Sequence, residues 1–195
     1  MLLRSCLAVF LLLPGVSGTF AEPFRHSTGE WREYNRDWLA ACPDTINEDG
    51  LSYHEFSCFA STYSQQLNAA NLPAYSLTII RNRLNGEFDI AITLADTERD
   101  VDATRPLVLQ FAGDPAEELD FSADLETRYN TVNQFFVRDP DRKANLLQRF
   151  KDRNAVELEV PLKGTPENLT MRLSLRGLTA SLDFMEAYAR RIEQY

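Results

Sequence analysis

A mainly β domain, a β-sandwich or open barrel carrying two packed helices, is the fold this chain predicts, and three observations predict it. Short runs rich in Ile, Leu, Val, Thr and Tyr recur through its middle, turn residues separate them, and helical periodicity surfaces in two places, one of them the C-terminus. No repeat, low-complexity tract or long linker interrupts this pattern, so it predicts one domain.

The first 21 residues stand apart. Arg4 lies before an almost unbroken apolar run over residues 6–16, and Thr19, Phe20 and Ala21 offer a small-residue cleavage site before Glu22 and Pro23. This arrangement predicts a secretory signal peptide. The run is too short for a stable membrane anchor and Pro14 and Gly15 weaken its end, so the mature chain is expected to keep no transmembrane segment. Cys6 lies too early in the run to be a lipoprotein attachment site. Residues 22–195 are then a single β-rich domain, periplasmic or secreted, with residues 22–30 a loose leader.

Strands are predicted over residues 52–60, 75–81, 88–94, 107–111, 133–137, 156–160 and 168–175, from their β-branched and aromatic content. Asn85-Gly86 between the second and third predicts a type I′ hairpin, because both residues tolerate a positive φ. Asp139-Pro140 supplies an N-cap and a first-turn proline, after which Ala144, Leu146, Leu147 and Phe150 recur at helical spacing to Asn154. A second helix follows Gly177, with Leu178, Leu182, Met185, Tyr188 and Ile192 on one face and Arg190 and Arg191 near its C-terminal end, where cations suit the helix dipole.

Removing the leader, whose one charge is Arg4, takes the formal charge from −9 to −10. So acidic a chain is a poor partner for nucleic acid or an anionic membrane surface; it suits a cationic partner, or charge that keeps the protein soluble. Cys42 and Cys58 are the cysteines left after cleavage, and an even pair in an oxidising compartment predicts a disulfide. The pair is not Cys-x-x-Cys, and with two scattered histidines it makes a poor zinc set, so neither redox chemistry nor a metal or other cofactor is expected.

Catalysis finds little support. A hydrolase base would have to be His26, in the leader, or His54, in an alternating stretch whose polar residues face solvent, and there is no Gly-x-Ser-x-Gly elbow. Carboxylate pairs could do acid–base work without histidine, but 29 acidic residues bring many together by chance. Asp96, Glu98, Asp100 and Asp102 alternate without the glycine turn and terminal glutamate of a calcium loop, and read as a solvated connection. Asn47 to Gly50 and Gly113-Asp114-Pro115 read as turns, and Asn168-Leu169-Thr170 fits the glycosylation acceptor pattern. Trp31, Tyr34 and Trp38 precede Cys42, while Tyr53, Phe56, Phe59 and Tyr63 surround Cys58. These rings either pack on the bridge or line a binding surface, for which Trp31, Trp38, Tyr53 and Tyr63 are the candidates.

The segment from Met171 to Leu182 (MRLSLRGLTASL), with Trp38-Leu39-Ala40-Ala41-Cys42 and Phe56-Ser57-Cys58, resembles the invasion-associated locus B family of exported bacterial proteins. That family has a signal peptide, a tryptophan shortly before a first cysteine, a second cysteine in the following strand, and a terminal strand turning through a Ser-Leu-x-Gly-like element into a helix. Its usual middle cysteine pair is missing here, since residues 111–136 contain no cysteine, which makes the likeness distant. The resemblance implies an exported β-rich protein without assigned catalytic residues. Together these readings predict a non-enzymatic exported protein that binds a protein or envelope partner; the alternatives are a small periplasmic hydrolase with paired carboxylates and a structural envelope accessory.

Overall fold

The computed structural model describes residues 22–96, 99–129 and 131–189. The leader at residues 1–21, Glu98, Arg190, Arg191 and Ile192 lie outside the described residues. The architecture is sandwich-like, with two unclosed antiparallel sheets and two helices, the second at the C-terminal end. Eight strands form the larger sheet. Six of them run as a meander: β1 (Phe24–His26), β2 (Glu30–Asn35), β3 (Trp38–Pro43), β4 (Ser57–Tyr63), β5 (Tyr75–Asn82) and β6 (Phe88–Leu94). The smaller sheet uses β7 (Leu107–Gln110) and β8 (Glu117–Leu119); β9 (Leu125–Glu126) and β10 (Gln134–Val137) return to the larger sheet beside β6. Helix α1 (Pro140–Asp152) then leads to β11 (Ala155–Pro161) and β12 (Asn168–Ser174), which complete the smaller sheet in the order β12-β11-β7-β8, and α2 (Leu178–Ala189) ends the fold.

Period-two alternation sorts the side chains of the larger sheet. Trp38, Ala40, Cys42, Cys58, Ala60, Tyr75, Leu77, Ile79, Ile90 and Ile92 enter the main core, which they share with Leu107, Leu109, Leu158, Val160 and Leu173 of the smaller sheet and Leu178, Phe184 and Met185 of α2. Cys42 and Cys58 are bonded here, joining neighbouring strands from within the core. The intervening residues Ala41, Phe59, Ile80, Ala91 and Phe136 form a second, smaller cluster, capped by Tyr53. The middle of the sheet is therefore buried on both faces, as the adjacent pair Ile79 and Ile80 illustrates.

Helix α1 starts where its capping residues place it. Asp139 accepts from the Arg142 amide at 2.6 Å, Pro140 occupies the first turn, and Leu146 and Phe150 are fully buried, with the Phe150 ring 5.6 Å from Phe111. In α2, the Glu186 carboxylate pairs with Arg81, whose guanidinium also lies 5.3 Å from the Phe88 ring centroid. Arg105 fixes the β11–β12 connection. Its five N–H groups go to the Asp102 and Asn168 side chains and to the carbonyls of Leu162, Thr165 and Pro166.

Several expectations need correction. Residues 22–30 are no loose leader, because Phe24–His26 pairs with β2 around Gly29 at φ 82°. The strand over 52–60 begins at Ser57: the Ser52 hydroxyl accepts from the His54 amide and caps a short 3₁₀ turn at Tyr53–Glu55. The β5–β6 hairpin exists, but a longer turn closes it than the two-residue type I′. Gly86 donates to the Asn82 carbonyl four residues back, Gly86 alone there takes positive φ, and the Asn85 side chain accepts from the Glu87 amide instead.

Candidate functional site

The C-terminal end of β4 runs past the start of β3 and faces β12 across an open cleft of about 640 Å³. Thr62, Tyr63, Ser64, Gln65 and Gln66 form one wall; Met171, Arg172 and Ser174 of β12 form the other, with Asp37 beside them. Eight of its nine lining residues have polar side chains, although carbon makes up the larger share of the exposed lining, and its one large exposed ring is Tyr63, 45% accessible.

One end of the cleft is fixed by tight backbone packing. Asn35 and Trp38 pair across a two-residue turn in which Arg36 takes φ 56°, and this turn abuts the junction between β12 and α2. Gly177, at φ 104°, lies so close that a Cβ there would overlap the Asn35 carbonyl oxygen and stand 3.4 Å from the Arg36 Cβ. Only glycine satisfies both the conformation and the space. Trp38 donates its indole N–H to the Ser174 carbonyl at 3.0 Å, Ser174 Oγ meets Asp37 Oδ2 at 2.6 Å, and Asn35 Nδ2 donates to Ser181 Oγ at 3.3 Å. Two of the three segments that carry the family resemblance, Trp38–Cys42 and Met171–Leu182, are thus brought into contact, although 136 residues separate Trp38 from Ser174.

β12 is an edge strand, and its hydrogen-bond alternation can be read from the register. Leu175 donates to Asn154 and Val156 stands opposite Leu173, so odd-numbered residues face β11, while Ser174 turns its carbonyl outward to Trp38. By the same alternation, the N–H and C=O of Thr170 and Arg172 point toward the free edge. No backbone partner meets them there among the described residues. At seven residues, β12 is the longest sheet edge, against three for β1 and β8 and two for β9.

Charge around the cleft departs from the acidic whole. Arg36, Arg172 and Arg176 are exposed and have no ion-pair partner among the described residues. Elsewhere many cations share networks, as where Asp89 takes both Arg128 and Lys143 and Glu117 takes both Arg142 and Arg149, although Lys151 and Arg83 also lack an ion pair among the described residues.

Of the four aromatic candidates, only Tyr63 lines the cleft. Trp31 is half-buried with its ring 5.6 Å from Tyr188. Trp38 and Tyr53 are corrected as surface residues. Trp38 is 1% exposed, on the core side of β3 with its one donor satisfied, and Tyr53 is 6% exposed, edge-on to Phe59, Tyr129 and Phe136. Nothing in the sequence around these rings separated them, since the alternation that buries Trp38 becomes readable only once β3 is identified.

The remaining candidates lie apart. His26 meets the Thr28 hydroxyl at 2.7 Å beside β1. His54 is exposed overall, yet its ring stacks edge-on to Phe59 at 4.6 Å and against Tyr53 at 4.0 Å. That partial desolvation lowers its pKa, with Glu30 pulling weakly the other way. The acidic run is divided among separate jobs: Asp96 accepts from the Tyr75 hydroxyl, Asp100 pairs with Lys163, and Asp102 caps Thr104 and holds Arg105. The hydrogen bonds from Thr104, ahead of Arg105, hold the Asp102 pKa below its usual range. Asn168 of the glycosylation pattern is tied to Arg105 and Glu159. A groove of about 290 Å³ between α1 and β6, lined by Phe88, Ile90, Ala144 and Leu147, has Lys143 and Glu87 at its margin.

Compared with family models, with curated proteins and with solved structures, the chain matches none.

Proposed function

We propose that this is an exported, non-enzymatic protein that works by binding a protein partner in the cleft between β4 and β12. The observation that carries this reading is the cleft itself, an opening of about 640 Å³ beside a strand edge that no other strand pairs among the described residues. A cleft of that size falls within the range of ligand sites, and its lining of Tyr, Arg, Ser and Gln is of the kind that orients a partner. Asp37 is the single carboxylate among its lining residues, so the two-carboxylate arrangement of glycoside hydrolysis does not form there. Export is supported by the N-terminal apolar run and by the Cys42–Cys58 bond, which suits an oxidising compartment. The distant resemblance to the invasion-associated locus B family fits the same picture.

Site-specific photo-cross-linking tests it. A photoreactive residue in place of Tyr63 should give a discrete, saturable adduct with an envelope protein in intact cells, while one at Lys151 on α1 should give none. Equal labelling from both positions would overturn the reading.

A further inference from the structure

Resting on that reading of the cleft, we infer that the partner is held as an added β-strand: an extended, acidic segment of polypeptide lies along β12 and pairs with the outward N–H and C=O of Thr170 and Arg172. Three independent features converge on this mode. The first is the supply of unmet backbone groups. Register and the Trp38–Ser174 bond place the amides and carbonyls of Thr170 and Arg172 on the open side of β12, where the cleft gives a strand room to dock. Recognition by strand addition draws its affinity from such main-chain pairs.

The second is preorganisation. Arg105 pins the connection before β12 through three carbonyls and the first residue of β12 through Asn168, and the Gly177 contact with Asn35 pins the junction after it. An edge held at both ends loses little conformational freedom when a strand arrives.

The third is charge. In a chain with 29 acidic against 20 basic residues, Arg36, Arg172 and Arg176 gather at one end of the cleft without ion-pair partners among the described residues. Asp37 is the carboxylate in the cleft lining, and Ser174 already engages it; Glu157 and Glu159 stand opposite Arg172 and Thr170 on β11, on the side of β12 away from its free edge. A net acid would ordinarily suit a cationic partner, but the field that a docking segment meets is set by its nearest charges, which salt screens least. Carboxylates at alternate positions of the added strand would face Arg172 and its neighbours; guanidinium–carboxylate pairing is directional and strong.

The test uses the disulfide-bonded protein without residues 1–21 and three synthetic decapeptides: alternating Thr and Glu, alternating Thr and Lys, and the Thr/Glu peptide N-methylated at every second residue. Binding is followed by titration calorimetry and by amide exchange. The Thr/Glu peptide should bind at least tenfold more tightly than either other peptide, slow exchange at Thr170 and Arg172, and lose at least tenfold in affinity with Arg172→Glu. Equal binding of the N-methylated peptide would overturn strand addition, and so would protection elsewhere in the fold. Preference for the Thr/Lys peptide, or for a sulfated glycan offered in competition, would overturn the acidic polypeptide as ligand. Failure of the Thr/Glu peptide to bind at all would likewise overturn the inference, whereas the cleft as binding site stands or falls on the Tyr63 cross-link.

Discussion

Trp38 and Ser174 are joined by an indole-to-carbonyl hydrogen bond of 3.0 Å that ties the start of β3 to the end of β12. Trp38 is almost wholly buried, so a phenyl ring in its place loses both the bond and well-packed core volume. Trp38→Phe should therefore destabilise the protein by about 2 kcal/mol, combining the lost bond with the lost ring volume. Urea denaturation checks this; an unchanged midpoint would mean that the bond contributes nothing.

The Cys42–Cys58 bridge links positions 16 residues apart. A loop of that length constrains the unfolded chain by about 3 kcal/mol, so replacing both cysteines with alanine should cost about 2–5 kcal/mol. Thermal melting of the double variant against the oxidised protein measures it, and the reduced parent protein should melt close to the variant.

Gly177→Ala should be far more damaging than its single methyl suggests. The new Cβ would overlap the Asn35 carbonyl oxygen, and alanine at φ 104° is strained besides. A loss of about 4 kcal/mol or more is expected. Gly113→Ala, at φ 83° with open space around its Cβ position, is the control and should cost less. Equal losses at the two sites would show that conformation, not the close approach, limits Gly177.

His54 makes stability depend on pH. Its folded pKa lies below the unfolded value because its ring is desolvated against Phe59 and Tyr53, so between the two values the unfolded chain holds the proton and the folded one does not. Stability from this residue is complete above the unfolded pKa, near 6.5, and declines as pH falls through that value toward the folded one. His54→Gln should flatten the change in denaturation midpoint between about pH 7.5 and pH 5.5. A slope as steep in the variant would assign it to other groups.

Much of the fold was legible because its signals are local. The run from Tyr75 to Leu94, the Asp139-Pro140 helix start and the apolar face after Gly177 each carry their own pattern, and all three elements form close to where that pattern puts them. The disulfide was legible for a compositional reason. What escaped lacks a pattern of its own, including the hairpin of β2 and β3. The Phe24–His26 strand is three residues long and exists through β2, while Glu117–Leu119 and Leu125–Glu126 are shorter than any period a sequence window resolves. The site was less legible still. Tyr63 was singled out for proximity to Cys58, but Arg172 and Arg176 look like ordinary surface arginines until the topology leaves β12 on an edge and brings Arg36 beside them.

Arg105 has a consequence for engineering the chain. It comes before β7, yet it grips three carbonyls within residues 162–166, so the loop between β11 and β12 is bound to the body by something other than its own covalent continuity. A cut in that loop should leave both fragments associated, which makes it the natural place to open new termini in a circular permutant.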